Sequence, residues 1–239
     1  MKTIGSLGNN FILGDAPFES KDVQALCAEH HVDGVLVLHK ETILRITLIN
    51  ADGSDGEFCG NGIRAVAAYW SEQTGQTQFK IKMGPHTVPC ELLSGGTVKT
   101  TLTGLNYLGP RELCVDGQTL QAHRANVGNP HAVILKAIKP DWLKEHGLAC
   151  EHAWGEAQRT NVEFVWRTAH NHYQILVHER GVGITQACGS GAMAVMRVLY
   201  ALGEITSGDD ITLSMPGGDV QSVLLSDNTV QQLALGHLY

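Results

Sequence analysis

Apolar residues along the chain gather in short β-branched runs separated by glycine-, asparagine- and aspartate-bearing turns. GVLVLHK (34–40), TILRITLIN (42–50), QFKIKM (78–83) and TVKTTLTG (97–104) fall in the first half. HAVILK (131–136), VEFVWRT (162–168), YQILVHE (173–179), DITLSMPGG (210–218) and VQSVLLSD (220–227) fall in the second. This pattern predicts a largely antiparallel sheet. Helical periodicity is scarcer. VQALCAEHH (23–31) is one candidate helix. A second carries Ile63, Val66, Ala67 and Trp70 at the i, i+3, i+4, i+7 spacing, with Gly75 as a stop. A third carries Ala192, Val195, Met196 and Leu199 at the same spacing, adds Val198 and Leu202, and stops at Gly203. It is apolar nearly all round, which predicts a central, buried helix.

The last two helices begin in the same way. CGNGIRA starts at Cys59 and CGSGAMA at Cys188, sharing the pattern C-G-x-G-x-x-A. Several strands, a Cys-Gly-x-Gly loop, a helix and further strands thus occur twice. A domain change is expected near 104–112, GLNYLGPRE. The first half, 1–106, carries Cys59 and is completed by a closing segment at about 227–239; the second, 107–226, carries Cys188.

Composition narrows the classes of function. A hydrophobic content of 43% with 17% charged residues in 239 residues predicts a folded core and not disorder. The net charge of −7 argues against nucleic acid or an anionic membrane surface as partner. No apolar run approaches a membrane span, and MKTIGSLGNNFILGD lacks a signal-peptide core, so a cytoplasmic protein is expected. The six cysteines, Cys27, Cys59, Cys90, Cys114, Cys150 and Cys188, form no C-x-x-C pair, which argues against a disulfide framework or a zinc site. Most of them are expected to be buried small hydrophobes.

The repeated loop needs a chemical reason. A helix N-terminus offers unpaired N–H groups and the positive end of the helix dipole, a setting that binds a carboxylate or phosphate. A thiol there is expected to have a lowered pKa and to act as a base. Two such loops facing one carboxylate would put a thiol on each face of the adjacent carbon. Inversion at that carbon needs two groups on two faces, one removing a proton and one returning it. Three readings compete. The cysteines could be structural and the glycines could serve turns. Gly60 and Gly189 also open G-x-G-x-x-A, a dinucleotide fingerprint, but NADGSDGEF and ERGVGITQA before them are poor strands. A P-loop fails because no G-K-[ST] follows, and H-E-x-x-H does not occur.

The flanks are more specific. NADGSDGEFCGNGIRA (50–65) and HERGVGITQACGSGAMA (178–194), with GSLGNNF (5–11), VDG (32–34), VGNPHAV (127–133), NVEFV (161–165) and MPGGDV (215–220), resemble diaminopimelate epimerase in order along almost the whole chain. The resemblance implies an α+β fold of two pseudo-symmetric halves, each a mainly antiparallel sheet wrapped around a central helix, with a cleft between them. It implies conversion of LL-diaminopimelate to the meso form, for lysine and peptidoglycan, with no pyridoxal phosphate, other cofactor or metal. Cys59 and Cys188 would be the acid/base pair, flanked by His131 and Glu179. Amides of Gly60, Asn61, Gly189 and Ser190 would hold the reacting carboxylate. Arg180, with Asn9, Asn50, Asn129 and Asn161, would hold the distal amino acid group, while Arg64 would support the first helix or pair with an acid. The partner would be a small amino acid, with no nucleic acid or membrane, and the assembly a homodimer.

The chain departs from the family pattern at Ile184 where Glu is common, Asn10 where Asp is common, and His178 where Tyr is common. These bear on efficiency and exact substrate. A racemase of another amino acid, histidine for example, could use the same thiol pair; proline-racemase-like enzymes carry Cys-Gly-His where this chain has Cys-Gly-Asn. A non-catalytic amino acid binder is the rival of a different class.

Overall fold

The computed structural model describes every residue except 16, 17, 227 and 239, and only the backbone of residue 238. Residue 227 ends the strand expected over 220–227 and opens the closing segment expected over 227–239, so that position, like residue 239, lies outside the described residues. The chain divides into two compact units, Met1–Leu102 with Gln232–Tyr239, and Thr103–Gln231.

In the first unit the order is β1 (Lys2–Ser6), β2 (Asn9–Gly14), α1 (Ser20–His30), β3 (Gly34–His39), β4 (Leu44–Asn50), α2 (Gly60–Thr74), β5 (Gln78–Met83), β6 (His86–Leu92) and β7 (Thr97–Thr103). The strands pair antiparallel at β1–β2, β3–β4, β5–β6 and β6–β7, and parallel at β2–β3 and β4–β5. Each parallel pair is bridged by a helix, as a crossover requires. Successive side chains of a strand face opposite ways. Val35 and Val37 of β3 pack with Val23 and Cys27 of α1. Leu36, between them, lies where a Cβ on Gly62 of α2 would touch it. The two helices therefore cover opposite faces of the strand.

The second unit runs β8 (Asn106–Val115), β9 (Gln118–Asn126), β10 (Pro130–Leu135), α3 (Pro140–His152), β11 (Asn161–Ala169), β12 (His172–Glu179), β13 (Gly183–Ile184), α4 (Gly189–Ala201), β14 (Asp210–Met215) and β15 (Gly218–Ser226). Strand β16 (Thr229–Leu235) begins in residues of this unit and ends in residues of the first. The chain ends in β17 (His237–Leu238), which pairs with β1 in the first unit. The pairing sequence of the first unit recurs. β9–β10 is antiparallel, β10–β11 parallel across α3, β11–β12 antiparallel, β12–β14 parallel across α4, and β14–β15 antiparallel. Ala132, Ile134, Val162 and Phe164 pack with Leu143 and Cys150 of α3. Glu163, on the other face of β11, lies against Gly191 of α4.

The repeat read from the two loops is thus a repeat of topology. α4 is buried along its length from Gly189 to Leu199, except for Arg197, as its all-round apolar sequence predicts. α2 stops at the left-handed Gly75, and Gly203, also left-handed, follows the end of α4. The sheets are largely antiparallel, as expected, with parallel pairs where a helix intervenes. One helix, α3, is not among the sequence candidates. Helix α3 carries no strong apolar period, because its buried residues are Leu143, Gly147, Cys150 and Glu151.

Candidate active site

Each unit places its cysteine at the N-cap of its inner helix. Cys59 has φ −130° and ψ 101°, and Cys188 has φ −122° and ψ 109°. An N-cap is extended and its side chain accepts an orphan N–H of the first turn, the task Ser, Thr or Asp usually performs. Here sulfur does it: Gly62 N–H donates to Cys59 Sγ at 3.3 Å, and Gly191 N–H to Cys188 Sγ at 3.3 Å. The next amide, of Ile63 or Ala192, donates to the cysteine carbonyl at 3.0 Å in both loops. Gly60 and Asn61, like Gly189 and Ser190, form the buried first turn in between.

Around the first loop, Asn61 Nδ2 donates to Asn9 Oδ1, and Asn9 Nδ2 donates to Asp33 Oδ2 at 3.3 Å. Arg64 is fully buried and donates to Asn61 Oδ1, to Ser6 Oγ at 3.2 Å and to Gln232 Oε1 at 3.3 Å. It thus braces the start of α2, one of the two roles expected of it. Asn50 ends β4 and donates to Ser54 Oγ at 3.0 Å, closing the turn that leads to Cys59. Nine residues of turn and coil, 51–59, separate β4 from α2. That removes the strand a dinucleotide fingerprint should follow directly. Asn10 presents its backbone N–H to Asp33 Oδ2 at 2.8 Å.

Around the second loop the groups are acidic. His131 and Asn129 flank Pro130 at the start of β10. His131 Nδ1 is 2.7 Å from Glu163 Oε1, and its Nε2 is 2.9 Å from Asn129 Oδ1. Asn129 Nδ2 donates to Ser190 Oγ at 3.4 Å, and Ser190 Oγ lies 3.3 Å from Cys188 Sγ. Glu179 ends β12, accepts from Thr185 Oγ1 and stands beside the Cys188 thiol. Burial is the main cause that holds its carboxyl above the usual range, and the neighbouring Glu163 adds to it. Asn161 holds the following turn: its Oδ1 accepts from Arg180 N–H at 3.0 Å, and its Nδ2 donates to Pro130 O at 2.8 Å.

The two thiols differ in burial. Cys188 is buried and Cys59 is half-buried. Burial first, then Glu179 and Glu163, push the Cys188 thiol well above its ordinary value, against the Ser190 and Gly191 hydrogen bonds. The expectation of a thiol lowered by its helix is therefore wrong for Cys188. The helix end is present, but burial and two carboxylates outweigh it. Cys27, Cys90 and Cys150 are buried as expected; burial pushes Cys90 to about 12 and Cys150 to about 11. Cys114 is exposed.

Sequence reasoning missed Glu163, although a charge inside VEFVW, on a strand apolar on both sides, was a visible signal. It also missed the bracing of the 179–183 turn. The buried Glu151 of α3 accepts from Gly181 N–H at 3.0 Å and from Arg159 Nε at 2.7 Å. His178 packs over Gly147, where an added Cβ would come within 2.3 Å of its ring, and burial lowers its pKa. Its Nδ1 is 3.3 Å from Glu151 Oε2, outside hydrogen-bonding geometry. Ile184 of β13 pairs with His178 and is exposed.

A family model described as diaminopimelate epimerase matches residues 124–237. A diaminopimelate epimerase of Nostoc punctiforme is 34% identical over 90% of this chain and 88% of its own length. The chain belongs to the diaminopimelate epimerase family. A chloroplastic member from Oryza sativa subsp. japonica is 32% identical over 90% of this chain and 71% of its own length. Among solved structures, a hydroxyproline epimerase from Agrobacterium vitis with bound trans-4-OH-L-proline matches with a TM-score of 0.78 at 12% identity, covering 100% of this chain and 88% of that one. That likeness shows a shared fold. Within the diaminopimelate epimerase family, the expected α+β architecture of two similar halves is the one found. No helix among the described residues is long and apolar enough to cross a membrane.

Proposed function

We propose that this chain is an isomerase that interconverts LL- and meso-2,6-diaminopimelate, in lysine and peptidoglycan-precursor biosynthesis, by proton transfer between two thiols and the α-carbon. Membership of the diaminopimelate epimerase family supports the substrate. The observation that carries the mechanism is the matched pair of N-caps, in which each sulfur accepts a first-turn N–H at 3.3 Å. A structural cysteine needs no such position, and a binding protein needs no thiol there at all.

In the LL-to-meso direction Cys59 takes the α-proton as thiolate, and Cys188 delivers a proton to the opposite face. The meso isomer reverses the roles. The α-proton is far less acidic than a thiol of ordinary pKa about 8.5, so the carbanion must be stabilised electrostatically. Amides of Gly60, Asn61, Gly189 and Ser190 serve the reacting carboxylate at the positive helix ends. Glu179 and His131 hold the amino group beside the reacting carbon. Arg180 receives the distal carboxylate through its planar fork. Asn9, Asn50 and Asn129 add polar contacts, and Asn161 positions the Arg180 backbone. As part of the same reading the protein works without a cofactor, as a homodimer in the cytoplasm, where thiols stay reduced.

Incubation of the reduced protein with LL-diaminopimelate, followed by chiral chromatography, tests the reading. Meso product, lost in Cys59→Ala and in Cys188→Ala, is the expected result. A folded, fully reduced protein that forms no meso isomer would exclude diaminopimelate as the substrate. Light scattering tests the dimer.

A further inference from the structure

We infer that Glu163 is a positioning residue for the Cys188 half of the site: it anchors His131 at the head of a hydrogen-bonded chain that ends on the thiol, and its carboxylate keeps Cys188 the proton-carrying partner of the thiol pair in the resting enzyme. The inference rests on the two-thiol reading and assigns a role to a residue outside the acid/base pair and its expected substrate contacts.

Four contacts make the chain. Glu163 Oε1 meets His131 Nδ1 at 2.7 Å, and His131 Nε2 meets Asn129 Oδ1 at 2.9 Å. Asn129 Nδ2 donates to Ser190 Oγ at 3.4 Å, and Ser190 Oγ stands 3.3 Å from Cys188 Sγ. A second route is shorter. A Cβ on Gly191 would lie 2.7 Å from Glu163 Oε1, so the carboxylate rests on the residue whose N–H bonds the sulfur. Glycine is needed there to let the acid in.

The cost of this carboxylate argues that its charge has a use. The Glu163 and His131 side chains are both fully buried. Glu163 Oε2 is buried and has no hydrogen-bond partner. A buried polar atom left unpaired is destabilising, more so when charged. A glutamine would meet His131 Nδ1 equally well at a smaller cost. The titratable groups acting on Cys188 are Glu179 from the end of β12 and Glu163 from β11, with His131 of β10 bonded to Glu163 and Arg180 next along the chain from Glu179. Burial and the two carboxylates raise the Cys188 thiol, which fits a group that starts the LL-to-meso reaction holding its proton.

The test is a pH profile. The enzyme form with one thiol and one thiolate turns over either isomer, so kcat/KM is bell-shaped in both directions, and its alkaline limb marks loss of the second proton, from Cys188. Glu163→Gln keeps the shape and removes the charge. It is expected to move the alkaline limb to lower pH and to leave the acid limb in place. Glu163→Asp, which keeps a carboxylate, is expected to retain the wild-type alkaline limb. A lowered rate with both limbs unmoved would make Glu163 merely structural and overturn the inference, while the wild-type bell still upheld the two-thiol reading. Were the wild type itself inactive on diaminopimelate, that reading would fall. The ultraviolet thiolate absorbance of Cys188, taken as the difference from Cys188→Ala in wild-type and Glu163→Gln backgrounds, would then decide the matter. Ionisation at lower pH in the Gln background supports the inference; coincident titrations overturn it.

Discussion

The two cysteine loops are alike in backbone and unlike in what stands behind them. Both sulfurs cap a buried helix with nearly the same dihedrals and the same 3.3 Å bond. Behind the first loop the buried charge is a guanidinium, Arg64, tied to Asn61, Ser6 and Gln232. Behind the second it is a carboxylate, Glu163, with Glu179 beside it. A repeated motif therefore supplies the same amides twice, while non-repeated neighbours surround the two sulfurs with different charges. The proposed two-thiol mechanism calls for such an asymmetry, since one group must begin the reaction with its proton and the other without it.

The strongest way to break the comparison is to remove one sulfur at a time. Cys59→Ala and Cys188→Ala are each expected to lower meso product formation by at least about a hundredfold, since acid/base groups contribute about that or more. A variant that kept most of its activity would make the loops unequal in kind. Arg180→Lys is expected to raise KM by about tenfold with a smaller change in kcat, because an ammonium cannot form the bidentate contact. Steady-state kinetics in both directions check it.

Stability sharpens the difference further. Gly191→Ala forces a Cβ to 2.7 Å from Glu163 Oε1, whereas Gly62→Ala meets Leu36 at 3.3 Å and Cys59 Sγ at 3.4 Å. Overpacking at the first is expected to cost about 1–3 kcal/mol and at the second less than about 1 kcal/mol, read by urea unfolding. Equal costs would mean that Glu163 yields freely. The smallest effect is on pH dependence. The Glu179 carboxyl is raised from 4.5 in the folded protein, so its contribution is fully present below that pH and is lost as pH rises through the folded value. Glu179→Gln removes that loss. The variant should gain in Tm relative to wild type as pH rises from 4.5 toward neutrality, and show no such gain below it.

Much of this was legible in the chain itself. The inner helices announce themselves through Ile63, Val66, Ala67 and Trp70, and through Ala192, Val195, Met196 and Leu199. Helix α3 does not, because its buried side includes Gly147 and the ion-paired Glu151 instead of an apolar stripe. Strand β8, NYLGPRELCV, hides for a similar reason: Gly109 and Pro110 read as a turn, and alternate residues face solvent. The thiols were found from local pattern, but the sign of the Cys188 shift was not. It depends first on burial and then on Glu179 and Glu163, brought to the helix end by pairing between β10, β11 and β12. A motif shows which groups meet a helix; the sheet decides which charges meet the motif.

The central claim, two monoprotic thiols acting on opposite faces of one carbon, is tested most directly by following the isotope at early times. Wild-type protein turns over LL-diaminopimelate in D₂O, and the deuterium content of the recovered LL substrate and of the meso product is measured separately at low conversion. The account predicts meso product carrying solvent deuterium at the inverted carbon and recovered LL substrate still carrying protium. Meso product that retained the original protium would mean that one group both removes and returns the proton, and would contradict the two-thiol account.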